Sequence, residues 1–125
     1  MERRKSVLII DNERPFTALL REFLGEACGY EVEVVPDGYN GLIMARKIMP
    51  GVVLLDIRMP ALNGLQVLEK LKADTQTADI PVIIITGFDD EENRKQAMGL
   101  KAADYLVKPV SLKVLRERIN AVMGA

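Results

Sequence analysis

The sequence contains no histidine. That absence excludes Ser-His-Asp and Cys-His catalysis, histidine general bases and most zinc sites. It also excludes the chain as a phosphohistidine carrier. Cysteine is almost as scarce. Cys28 stands alone, so an internal disulfide framework is impossible and the chain suits a reducing, cytoplasmic compartment. Neither sign of charge is in excess, with 17 Lys and Arg against 18 Asp and Glu. A chain so balanced is not a general electrostatic binder of nucleic acid or of an anionic membrane. No apolar run approaches the roughly 18 residues of a membrane span. The apolar stretch after the basic start Met1-Glu2-Arg3-Arg4-Lys5 is too short for a signal peptide.

What is present fits one α/β domain over residues 1–125. Apolar residues make up 49% of the 125, enough for a core without disulfides or a structural metal. Three short apolar runs read as strands buried on both faces: Val7-Leu8-Ile9-Ile10, Val52-Val53-Leu54-Leu55 and Val82-Ile83-Ile84-Ile85. Weaker strands are expected at 31–35 and 103–107. Between them lie helical patterns. Phe16, Leu19, Leu20, Phe23, Leu24 and Ala27 share one helix face, and Gly29 is a plausible stop. Leu42, Ile43, Ala45 and Met49 mark a second helix ending before Pro50, and Leu65, Leu68 and Leu71 a third. The stretch 89–100 opens with acids and carries a thin apolar face, so it is expected to be the most mobile helix. Ser111 can cap a last helix carrying Leu112, Leu115, Ile119 and Val122. Five β-α repeats with short loops imply parallel strands and right-handed crossovers.

Ligands of an open α/β sheet bind beyond the carboxyl ends of its strands. There the sequence places Asp11, Asn12 and Glu13 after the first run, Asp56 after the second, Thr86 and Gly87 after the third, and Lys108-Pro109 after Leu106-Val107. If the first and third strands are neighbours, Asp11 and Asp56 meet in one crevice and repel unless a cation lies between them. Oxygen donors without His or Cys favour Mg²⁺. A hydroxyl, an ammonium and a metal around one crevice suit a phosphoryl group, and a carboxylate can accept one covalently.

These motifs in order resemble the receiver domain of two-component response regulators, over nearly the whole chain. The matching segments are Val7-Leu8-Ile9-Ile10-Asp11-Asn12-Glu13, Leu55-Asp56-Ile57-Arg58-Met59-Pro60 with Gly64, Ile85-Thr86-Gly87, and Ala103-Asp104-Tyr105-Leu106-Val107-Lys108-Pro109. The resemblance implies a flavodoxin-like (βα)5 three-layer sandwich with a central five-stranded parallel sheet in the order 2-1-3-4-5. It implies a switch rather than an enzyme, with Asp56 accepting a phosphoryl group from a sensor histidine kinase or phosphotransfer protein. Thr86 and Lys108 match the residues that bind that group. Asp11, Asn12, Asp56 and the backbone carbonyl of Arg58 match the Mg²⁺ ligands. Tyr105 matches the switch aromatic that turns inward, Lys108-Pro109 the peptide bond that is usually cis, and Gly64 the tight turn after Met59-Pro60. Arg94, Asp104 and Arg118 match charges that join homodimers through the last two helices and strand 5. Val114 stands where an acidic partner is expected, so that signature is incomplete. The kinase would dock on the first helix, near Arg14, Pro15, Phe16 and Ala18.

The chain departs from the family at position 12, which usually carries a second acid. Asn12 offers a carbonyl oxygen without charge, so weaker Mg²⁺ binding is expected. Glu13 is expected to begin the first helix and point elsewhere. Asn12 also motivates the alternative function, a degenerate receiver acting as a phosphorylation-independent interaction module. A flavin carrier is disfavoured because no Ser/Thr/Gly-rich phosphate loop follows the first strand. An aspartyl-nucleophile phosphatase is disfavoured because its second acid would not be Glu13.

Taken singly, every residue here has a plainer reading. Asp11 and Asp56 could be helix N-caps, Thr86 a strand end, Lys108 a solvated lysine and Tyr105 core packing. Met44, Met49 and Met98 read as core gap-fillers, Cys28 as a small apolar residue, and Asp89-Asp90-Glu91-Glu92 as a solvated helix start. Arg58 and Phe88 lie two residues beyond Asp56 and Thr86, where the family's hydrolytic water passes. Their bulk predicts a long-lived phosphoryl state that Phe88→Ala shortens. Decay of the phosphorylated protein, followed by intact mass, checks this; decay as fast as in chemotaxis receivers and unchanged by Phe88→Ala would refute it.

Overall fold

Each of the three apolar runs is a strand with both faces covered. In a computed structural model that describes residues 5–87 and 89–124, β1 is Ser6–Ile10, β3 is Val52–Leu55 and β4 is Val82–Thr86, all buried throughout. The weaker strands are β2, Glu31–Val35, and β5, Asp104–Val107. The helices between them are α1 (Arg14–Leu20), α2 (Gly38–Ile48), α3 (Gly64–Ala73), α4 (Glu91–Gly99) and α5 (Leu112–Met123). All strand pairings are parallel, in the order β2-β1-β3-β4-β5. This is the flavodoxin-like arrangement that the resemblance implies. The basic start up to Arg4 and Phe88 lie outside the described residues.

Side chains alternate across the sheet, and the core divides accordingly. Leu8, Ile10, Val53, Leu55, Val82, Ile84 and Tyr105 pack with α2, α3 and α4 on one face. Val7, Ile9, Val52, Leu54, Ile83, Ile85 and Leu106 pack with α1 and α5 on the other. Three helices start on side-chain caps from Asp37, Asp90 and Ser111, and α3 starts on a reciprocal box between Asn63 and Gln66.

Two local expectations need correction, and two further features go beyond them. The helix expected through Ala27 changes character after Leu20: Arg21–Ala27 is π-helical, closed by the Cys28 N–H on the Phe23 carbonyl at 3.1 Å. Apolar periodicity reports which face is buried, not which carbonyl each N–H chooses. Met98 is 47% exposed, so it fills no core gap. Ile43 points outward beside Tyr39 on α2, at 64% and 59% exposure. The turn after Met59-Pro60 takes its positive φ at Ala61 (66°).

Gly64 is needed for close approach. A Cβ there would lie 2.2 Å from the Asp56 carbonyl oxygen and 2.7 Å from the Ile57 Cα. Backbone atoms cannot swing aside, so Gly64→Ala is expected to cost about 3 kcal/mol, the upper end of overpacking. Gly99→Ala, with open space around it, should be neutral or stabilising by about 0.5 kcal/mol. Thermal and urea unfolding of the two variants check the contrast.

Candidate functional site

The sheet register builds the site. Ile10 and Leu55 are direct partners across β1 and β3, so Asp11 and Asp56 leave the sheet side by side. The ladder runs one residue further: the Asp11 N–H donates to the Val35 carbonyl and the Asp56 N–H to the Ile10 carbonyl, both at 3.1 Å. On the far side Thr86 of β4 partners Val107 of β5. Lys108 follows, its N–H donating to the Thr86 carbonyl at 2.7 Å, and the Lys108-Pro109 bond is cis as expected.

Both aspartates are buried, at 4% and 6% exposure, and make the same local turn. Oδ1 of Asp11 accepts the Glu13 N–H at 2.9 Å, and Oδ1 of Asp56 accepts the Arg58 N–H at 3.2 Å. Neither caps a helix, because the cap positions of α1 and α3 belong to Glu13 and Asn63. Both Oδ2 atoms face Lys108, whose Nζ donates to Asp11 at 3.0 Å and to Asp56 at 3.3 Å. Lys108 is therefore not a solvated lysine.

Its third partner was not anticipated. Glu13 holds the cap position of α1 as expected, but its side chain makes no capping bond. It turns into the crevice, and Oε1 accepts from Lys108 Nζ at 2.7 Å. The Phe16 ring, one turn along α1, covers the ammonium with its centroid 4.4 Å away. The signal available in sequence was only adjacency: a long acid next to Asp11 can reach whatever Asp11 reaches.

Burial works to lower the Lys108 pKa, but the hydrogen bonds to Glu13 and Asp11 and the charges of Asp11 and Asp56 outweigh it and hold the ammonium above the usual lysine value. Asp11 goes the other way. Burial pushes its carboxyl above the ordinary range, helped by the Asp56 charge and opposed by the Glu13 N–H and Lys108. The pair thus favours the lysine's charge more than the aspartate's, because Asp11 carries the deeper burial and a like-charged neighbour.

Thr86 is fully buried at the end of β4. Tyr105 lies inward, 4% exposed, with the Arg94 guanidinium 4.5 Å above its ring and an Arg94 bond to its carbonyl at 3.5 Å. Arg94 also pairs with Asp89 at 3.6 Å. Asp104 accepts from Arg118 of the same chain. Asn12, next to Asp11, is exposed, and so is Arg58, two residues beyond Asp56.

The two buried carboxylates, Asp11 and Asp56, are oxygen donors of the kind a hard divalent cation takes. Among the described residues no three acidic, histidine or cysteine side chains form a ready cage.

The model of the response regulator receiver domain family matches residues 7–120. PilH of Pseudomonas aeruginosa is 40% identical over 118 residues, 94% of this chain and 97% of PilH. "Probable transcriptional regulator ycf27" of Guillardia theta is 38% identical over 123 residues, 98% of this chain but 47% of that protein, so the chain spans about half of that relative's length. The chemotaxis protein CheY4 of Vibrio cholerae superposes with a TM-score of 0.87 at 26% identity, over 94% of this chain and 97% of the other.

The raised Asp11 carboxyl has a consequence for stability. The folded chain binds this proton more tightly than the unfolded chain does. The group's contribution is fully favourable below the ordinary carboxylate pKa and is lost as pH rises through the raised folded value. Asp11→Asn should therefore raise the thermal midpoint by a few degrees at neutral pH, in the presence of chelator, and the gain should vanish on acidification. Calorimetry from acid to neutral pH checks it.

Proposed function

This chain belongs to the response regulator receiver domain family, and we propose that it is a switch set by phosphorylation of Asp56. The observation that carries the reading is the convergence of the Asp11 and Asp56 Oδ2 atoms on one ammonium, Lys108, at the carboxyl ends of β1, β3 and β5. A carboxylate next to a fixed cation is a nucleophile whose product charge is already matched.

The donor is the phosphohistidine of a sensor histidine kinase or phosphotransfer protein. A carboxylate oxygen of Asp56 bonds to phosphorus as the bond from phosphorus to the donor nitrogen breaks. The electron pair stays with the imidazole, which takes a proton from water. Lys108 meets the charge on the incoming phosphoryl oxygens, and the Thr86 hydroxyl completes their coordination. Asp11, Asn12, Asp56 and the Arg58 carbonyl would hold Mg²⁺, which supplies positive charge against the two carboxylates and the phosphoryl oxygens. Signal leaves by way of Tyr105, which joins β5 to α4 through Arg94. A homodimer through α4, β5 and α5 would exchange the intrachain Asp104–Arg118 and Arg94–Asp89 pairs for interchain ones. No helix among the described residues is long and apolar enough to cross a membrane, and the kinase partner places the domain in the cytoplasm.

Asn12, exposed and uncharged, favours the second reading, a phosphorylation-independent interaction module. Intact mass after incubation with acetyl phosphate and Mg²⁺ separates the two. One added phosphoryl group is expected on the wild type and none on Asp56→Asn. Asn12→Asp should lower the Mg²⁺ concentration needed. Wild type and Asn12→Asp both unlabelled would establish the second reading.

A further inference from the structure

The Lys108 ammonium has three N–H donors, and all three are taken. Asp11 Oδ2 accepts at 3.0 Å, Glu13 Oε1 at 2.7 Å and Asp56 Oδ2 at 3.3 Å. For Lys108 to bond a phosphoryl oxygen, one of these acceptors must leave. The three differ sharply in what leaving costs. The Asp11 side chain is 3% exposed and that of Asp56 is 8% exposed, so either would strand a buried charge. The Glu13 side chain is 55% exposed, so water replaces the lost bond. Its departure costs α1 no side-chain cap, since Glu13 provides none. The Phe16 ring holds the ammonium in the crevice through its π face and occupies no N–H.

We infer that Glu13 is a positioning residue: its carboxylate holds the third N–H of Lys108 and yields that place to a phosphoryl oxygen during transfer. The inference rests on Asp56 being the acceptor. Glu13 also returns to the crevice the third carboxylate that Asn12 does not supply, but on the lysine side. It therefore aims Lys108 at Asp56 in the resting state and competes with the incoming group for the same proton donor.

The test uses labelling kinetics with acetyl phosphate at saturating Mg²⁺, so that changes in metal affinity do not enter. Removing a competitor for ground-state binding lowers KM and leaves kcat unchanged. Glu13→Ala should lower the KM for acetyl phosphate about two- to fivefold, the range of an ion pair with one exposed partner. Glu13→Asp, one methylene shorter, should resemble Glu13→Ala. Glu13→Gln, which keeps the oxygen and loses the charge, should fall between. The second readout involves no transfer: in ¹⁵N-lysine NMR, the Lys108 NζH₃⁺ resonance should be protected from exchange in the wild type and lost in Glu13→Ala. A wild type that labels, with KM and resonance both unchanged in Glu13→Ala, overturns the role of Glu13 and leaves Asp56 as acceptor. A wild type and an Asn12→Asp variant that both take no phosphoryl group overturn the acceptor reading and this inference with it.

Discussion

Two buried carboxylates stand side by side because a parallel register leaves them no alternative. Once Ile10 opposes Leu55, the next residue of each strand emerges at the same level of the same crevice. Asp11 and Asp56 are the cost of this site, and Lys108 offsets that cost from the opposite edge of the sheet. The lysine reaches across because β5 ends opposite β4, whose own neighbour is β3. A one-residue slip in either pairing would turn these side chains to the other face. The long apolar strands, whose two faces fill two separate cores, resist such a slip. Core packing and site geometry are thus one constraint. The residues that never touch the crevice fix the register that creates it.

The same dependence explains where the backbone is tight. Gly64 brings the start of α3 against the Asp56 carbonyl, and its N–H donates to the Ile57 carbonyl at 2.9 Å. The loop bearing Asp56 is braced from behind by a helix terminus that no side chain could allow so close. The brace frees Asp56 from capping duty, which Asn63 and Gln66 perform. The aspartate can then direct one oxygen to the Arg58 N–H and the other to Lys108.

Legibility in the sequence followed the range of the interaction. Strands of β-branched apolar residues and helices with capping signals are local, and the parallel α/β architecture was readable from them. The strand-end rule then placed Asp11, Asp56, Thr86 and Lys108 at one edge before any contact was known. What the sequence hid was the choice among nearly equivalent partners. Nothing local says that Arg21 to Ala27 should adopt wider turns, since the apolar stripe is the same either way. Nothing local says that Glu13 should forgo its cap for a lysine ninety-five positions away. A free cap would have been the nearer bond. The lysine wins because its charge is already concentrated in the crevice and a charge-assisted bond is the stronger one. Arg94 over Tyr105 is of the same kind.

The path from site to surface is short for a physical reason. Thr86 and Lys108 are tied by a backbone hydrogen bond of 2.7 Å, so the buried hydroxyl and the cation are held together at the end of the β4–β5 ladder. Tyr105 lies on β5, three residues before Lys108, its ring under Arg94 of α4. That helix buries only Ala97 among its own residues. Besides Ala97 in the core, it meets the sheet through the cation–π and hydrogen-bond contacts of Arg94 with Tyr105. If Asp56 takes a phosphoryl group as proposed, the thin apolar face of α4 lets that change of charge be read at the surface without unfolding anything between.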